Sequence, residues 1–239
     1  MTSDPPHAAR TPPDAVPTDG YVLRLRVLGP AALVAVAPDG GTVERLGPGK
    51  PLALLVRVAM AGDRGVAREA LGALLWSAAE PERQRQSVRQ AMLQLRRAAG
   101  RDLFATTASG ALVLAQPLPS DLDALLARLT AGDRAGALAL VGGVFLADLQ
   151  PAGAPGFERW ADFERVRIGA LVAGAREAAA REALEGGRCR EARRLATLAR
   201  QEAPDPEAAW GLEIEAALAD GDPTAAGMSA EALAAWLRD

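Results

Sequence analysis

The chain has 239 residues, 49% of them apolar, with 27 basic against 30 acidic side chains and a formal net charge of −3. That length allows two modest domains with a real core, and no apolar run approaches the ~20 residues a membrane helix needs. One histidine (His7) and one cysteine (Cys189) leave no intrachain disulfide, no cysteine metal site and, in the folded part, no imidazole for acid–base work. Neither an enzyme nor a metal- or cofactor-dependent protein is expected.

Residues 1–20, MTSDPPHAARTPPDAVPTDG, are rich in proline and small polar residues and have no apolar segment of secretory type. They are expected to form a disordered lead-in, and the chain is expected to be cytoplasmic. From Val22 to Val27 apolar and polar residues alternate, the period-two signature of a half-buried strand. AALVAVA follows Gly29-Pro30 as a second strand. The DGG turn at Asp39–Gly41 leads into a third at Thr42–Leu46.

At Lys50 the period changes. KPLALLVRVAMAG places Leu52, Leu55, Val56 and Ala59 on one helical face and stops at Gly62. AREALGALLW is a second helix, closed by Trp76. A third opens at Pro81, where the missing N–H is harmless, and ends at Gly100. LFATT and ALVLA then read as a hairpin around Ser109-Gly110. The order β-β-β-α-α-α-β-β is a winged-helix plan with an added N-terminal sheet, over residues 21–117. The Gly49-Lys50 pair is not a phosphate loop, because Glu44 stands where glycine is needed and Pro51 where Ser or Thr is needed. Lys50 is instead a candidate phosphate contact at the start of the first helix.

QPLPSD (Gln116–Asp121) reads as a linker. Residues 118–239 are expected to be almost wholly helical. Ser120 or Asp121 caps LDALLARLTAGD, and RAGALALVGGVFLADL follows. A long amphipathic stretch runs from Phe157 to about Glu185, and two more helices end in proline or glycine. Paired helices at about 34-residue spacing suggest a tetratricopeptide-like repeat. Phe157, Trp160 and Phe163 read as a helix-packing seam, and Trp210 and Trp236 are expected to pack similarly. The concave face of such a stack suits a protein partner.

The third helix carries the functional signal. Glu82–Arg101 holds arginines at 83, 85, 89, 96, 97 and 101 against one glutamate. On a helical wheel Val88, Ala91, Met92, Leu95, Ala98 and Ala99 form one stripe. Arg83, Gln86, Arg89, Gln90, Gln94 and Arg97 lie opposite, with Arg85 and Arg96 at the edge. Arginine pairs with guanine O6 and N7, and glutamine with adenine N6 and N7. Arginines at the margins can neutralise phosphates, and Arg83 and Arg101 are expected to serve as phosphate contacts as well. A solvated arginine face in an arginine-rich chain is the plain alternative; the position just before a hairpin favours double-stranded DNA. Leu93 breaks the polar face, either to meet a thymine methyl or to mark a protein-binding surface.

LRLRVLGPAALVA, LGPGKPLALLVRVAMAGDRGVAREALGALLW and RQSVRQAMLQLRRAAG resemble the DNA-binding domain of SARP-type bacterial transcriptional activators. GGVFLADLQ (Gly142–Gln150), FERWADFERVRI (Phe157–Ile168) and the helices after them resemble the partner module, the bacterial transcriptional activator domain. The resemblance spans about residues 21–220. It implies an α+β winged helix followed by an all-α tetratricopeptide-like domain, with Arg85, Arg89, Gln90 and Arg97 on the reading helix. It also implies a wing near Thr106–Leu112, with Thr106, Thr107 and Ser109 as contacts. Members of the family bind direct repeats near promoters and help recruit RNA polymerase, so a sequence-specific regulator, an activator that acts as a homodimer, is expected. This chain departs from the family at Leu93, where a small polar residue is usual, in a wing without an aromatic after glycine, and in a short helical module. The alternative is an interaction adaptor of the same fold that no longer reads DNA.

Overall fold

The computed structural model describes residues 20–203 and 206–238; apart from Gly20, the N-terminal lead-in lies outside the described residues. β1 (Val22–Arg26), β2 (Ala32–Val36) and β3 (Thr42–Leu46) form an antiparallel sheet in that order. Alternation in β1 turns Leu23 and Leu25 inward and Val22, Arg24 and Arg26 outward, as the pleat requires. β2, paired on both sides, is buried along nearly its whole length.

α1 (Lys50–Ala61) is the buried axis of the N-terminal half. Leu52, Ala53, Leu54, Leu55, Val56 and Val58 are all inaccessible, which suits a helix apolar on most sides. A short 3-10 turn (Gly62–Arg64) leads to α2 (Arg68–Leu75) and α3 (Pro81–Ala99). β4 (Phe104–Thr106) and β5 (Leu112–Leu114) form a hairpin. Val66 exchanges backbone hydrogen bonds with Leu112 in both directions, at 2.9 and 2.8 Å, so the hairpin is tied to the segment before α2. The chain is thus a small antiparallel sheet and a helix–helix–hairpin unit, followed by helices: α4 (Asp121–Thr130), α5 (Arg134–Leu138), α6 (Pro155–Glu185), α7 (Cys189–Glu202), α8 (Glu207–Ala219) and α9 (Pro223–Trp236). From α6 onward each helix packs on the next, largely through alanines such as Ala196, Ala216 and Ala226.

Three expectations need correction. RAGALALVGGVFLADL is helical only over Arg134–Leu138. Beyond it, Gly142-Gly143 opens an irregular segment along the β1–β2 turn. Gly142 N–H donates to the Leu28 carbonyl at 3.1 Å, Leu146 N–H to Val27 at 2.8 Å, and Asp148 Oδ1 accepts from Ala31 N–H at 2.7 Å. Those turn groups are buried and need partners, and an irregular segment supplies them where a helix, already internally bonded, has none to give. Phe163 does not join the seam. It is 67% exposed, whereas Phe157 and Trp160 meet at a tilt with centroids 5.2 Å apart and Trp160 meets Phe145 edge-on at 6.4 Å. Six residues turn a helix by about 240°, so Phe157 and Phe163 cannot share one face. Trp236 is also exposed, at 43%, because α9 packs only through Ala225, Ala226 and Ser229, away from its last turn. Trp210 does pack, under the Arg200 guanidinium 4.0 Å away.

The segment read as a linker is held down. Leu25 N–H donates to the Pro119 carbonyl at 2.9 Å, and Leu118 is buried. Asp121 accepts the Val27 and Leu28 amides at 2.9 and 3.0 Å. The main apolar core accordingly runs without a break from Leu23 to Val172.

Candidate nucleic-acid interface

α3 begins with Pro81 in its first turn and ends at Gly100, which is left-handed at φ 71°, the conformation glycine adopts without a Cβ penalty. Glu82 lies in the first turn and Arg96 and Arg97 in the last, each charge matching the helix dipole. Val88, Ala91, Leu95 and Ala99 are buried, and Met92 and Ala98 partly so, so the apolar stripe packs as the wheel indicates. Arg83, Arg85, Gln86, Arg89, Gln90, Leu93, Gln94, Arg96 and Arg97 are exposed. Two groups missed in the sequence hold the helix in place. Gln84 Nε2 donates to the Ala79 and Trp76 carbonyls at 2.8 and 3.2 Å. Arg45 Nε, from β3, donates to the Ala98 carbonyl at 2.9 Å, satisfying one of the acceptors that every helix C-terminus leaves open. Neither had a local pattern to reveal it, since both act across a turn or between elements.

The arginines differ in how far they are committed. Arg85 bridges Glu82 at 2.5 Å on its own helix; that hydrogen bond holds the Glu82 carboxyl below its usual range. Arg96 meets Asp102 at 3.3 Å. Arg101 donates to the Gln116 side chain. Arg83, Arg89 and Arg97 make no salt bridge among the described residues. Lys50 rests over the Trp76 ring at 5.5 Å and lines one hollow with Trp76, Glu80 and Arg83. The two cations expected to face phosphate from different helices therefore line the same hollow.

The hairpin tip is closed by its own polar groups. Thr107 Oγ1 accepts from Ala111 N–H at 3.1 Å and lies 2.9 Å from Ser109 Oγ. Thr106 Oγ1 accepts from Arg68 Nη2 at 2.9 Å. Thr106 and Ser109 are exposed, and Thr107 only partly, because its hydroxyl serves the turn. Arg68, in the first turn of α2, was not singled out in the sequence; it ties the hairpin tip to α2.

Among the described residues no cluster of His, Cys, Asp or Glu could hold a metal ion, and no helix is long and apolar enough to cross a membrane. What the face of α3 offers is a row of exposed guanidinium and carboxamide groups, with Arg83 in its first turn lining one hollow with Lys50.

No family model matches the chain, and no curated protein does. Its fold is similar to that of Mycobacterium tuberculosis EmbR, solved in complex with a low affinity phosphopeptide. The TM-score is 0.65 at 23% identity, over 87% of this chain and 58% of the EmbR chain. The chain thus spans less than two thirds of EmbR, and the likeness is one of fold.

Proposed function

We propose that this chain is a sequence-specific transcriptional regulator that binds double-stranded DNA, with α3 in the major groove and the β4–β5 hairpin on the adjacent backbone. The observation that carries the reading is the exposed face of α3, where Arg83, Arg89 and Arg97 are free of salt bridges among the described residues and stand among Gln86, Gln90 and Gln94. A helix of this length fits the groove, and the arginine and glutamine heads match the edges of guanine and adenine. The segment's six cations against one anion supply the local attraction that a whole-chain charge of −3 conceals. The SARP-type resemblance and the shared fold support the same reading. In it the tetratricopeptide-like half recruits RNA polymerase and pairs two copies on repeated sites, as an activator in the cytoplasm does.

The test is selection of duplexes by the full chain, followed by substitution. Replacing Arg89 and Gln90 by alanine is expected to relax sequence preference by about 1–3 kcal/mol for each base edge that is no longer read. Arg83→Ala is expected to weaken binding to every sequence and to flatten the salt dependence by about 0.9 per phosphate contact. Binding unchanged by all three substitutions rejects this role for α3. Val144, Phe163 and Val166, exposed at 57, 67 and 62%, favour a second reading as a protein-interaction adaptor. Uniformly weak, salt-sensitive retention of all fragments is the result that reading expects.

A further inference from the structure

We infer that Leu93 reads the C5 methyl of a thymine, so that the DNA selected by this chain carries a T·A pair at the centre of the stretch covered by α3. The inference rests on the reading of α3 as a major-groove helix and names one base within it. Leu93 is 39% exposed, while the helix's other large aliphatic residues, Val88 and Leu95, are 1% and 0% exposed. It is therefore not a core residue that has slipped to the rim. Its neighbours one turn away are Arg89 and Gln90 on one side and Arg96 and Arg97 on the other, all exposed.

That setting decides between the two uses an exposed leucine has. A protein interface is centred on a cluster of apolar anchors desolvated together. Among the described residues Leu93 is the one large apolar side chain left exposed on α3, the others lying on different elements such as β1, β3, α4, α6, α8 and α9, so its neighbours along its own helix are arginines and a glutamine and not further apolar anchors. A polyanion suits the cations, and in the major groove of a polyanionic duplex the apolar feature on the base edges is the thymine methyl. Arg89 and Arg97 are each four residues, about 6 Å of helix rise, from Leu93. At about 3.4 Å per base pair, a helix running along the groove places their contacts about two base pairs to either side of that thymine.

The full chain is offered a pool of random-sequence duplexes, and one recovered duplex is resynthesised with its thymines replaced singly by deoxyuridine, which lacks only the methyl. At one position the replacement is expected to weaken the wild type about fourfold, the worth of one buried methyl. Leu93→Ala should be indifferent to that replacement, and Leu93→Met, which keeps the apolar reach, should remain sensitive. If duplexes are enriched but no thymine distinguishes wild type from Leu93→Ala, or the covered stretch contains no thymine, the inference is overturned and the DNA reading stands. If the full chain enriches no duplex at all, the reading of α3 falls and the inference with it.

Discussion

Asp121 offers the sharpest stability test, because its carboxylate joins the helical half to the sheet. Oδ1 and Oδ2 accept the Val27 amide at 2.9 and 3.1 Å, Oδ2 accepts Leu28 at 3.0 Å, and Oδ1 accepts the amide of Leu122 at 3.0 Å. Val27 and Leu28 are 1% and 2% exposed, so solvent cannot replace the acceptor. Asp121→Ala orphans two buried amides at about 1–3 kcal/mol each, a total loss of about 2–6 kcal/mol against a typical total of about 5–15. Urea denaturation followed by tryptophan fluorescence reads this as a lower midpoint at unchanged slope. Asp121→Asn, whose single amide oxygen can serve one of the two donors, is expected to lose roughly half as much. Burial pushes the Asp121 carboxyl above its ordinary range, against the opposing pull of the backbone amides. The folded chain therefore binds this proton more tightly than the unfolded chain. This group's contribution is largest below the ordinary carboxylate range and shrinks as pH rises through that range toward the raised value. Asp121→Asn lacks that slope. A midpoint for Asp121→Ala equal to wild type would refute the reasoning, since the two amides would then have other partners.

Two further substitutions probe the supports of the candidate interface. Gly65 sits at φ 63°, and a Cβ there would lie 2.6 Å from the Leu112 carbonyl oxygen and 2.8 Å from the Val113 side chain. Gly65→Ala is expected to cost about 1–3 kcal/mol and to displace the hairpin, read as a lower unfolding midpoint with weaker binding to all DNA sequences alike. Ser120 forms a reciprocal capping box with Asp123 at the start of α4; Ser120→Ala is expected to lower stability by about 1 kcal/mol, measured in the same denaturation assay, without changing the sequence preference of α3.

Much of this architecture was legible because local rules decide it. The alternation of β1, the change of period at Lys50, and Pro81 and Gly100 around α3 each act within a few residues. The division of α3 into an apolar stripe and an arginine–glutamine face followed from one wheel. What escaped is what depends on distant partners. Residues 139–149 were expected to continue a helix, but the buried backbone of the β1–β2 turn claims their hydrogen bonds. Gln84, Arg45 and Arg68 looked like ordinary surface polar residues, and only the packing of α3 against its neighbours gives them carbonyls and a hydroxyl to hold. Phe163 follows Phe157 and Trp160 at three-residue steps, which suggests one seam, and Trp236 is an aromatic in an apolar helix; the orientation of α6 and the end of α9 leave both outside. Within the candidate site, the sequence displayed the cations but not which were already engaged. Glu82, Asp102 and Gln116 occupy Arg85, Arg96 and Arg101, while Arg83, Arg89 and Arg97 make no salt bridge among the described residues.

Gly29, Gly142 and Gly143 cross main chain against main chain. A Cβ on Gly29 would lie 3.1 Å from the Gly142 carbonyl carbon, and one on Gly142 would lie 3.0 Å from the Leu28 oxygen. With Asp121 and Asp148 clamping the same turn, the junction behaves as a weld and not as a tether. A torque applied to the helical array would therefore pass into the sheet, and through the Arg45–Ala98 hydrogen bond to the C-terminal end of α3, so that helix and the array turn together and not as independent bodies.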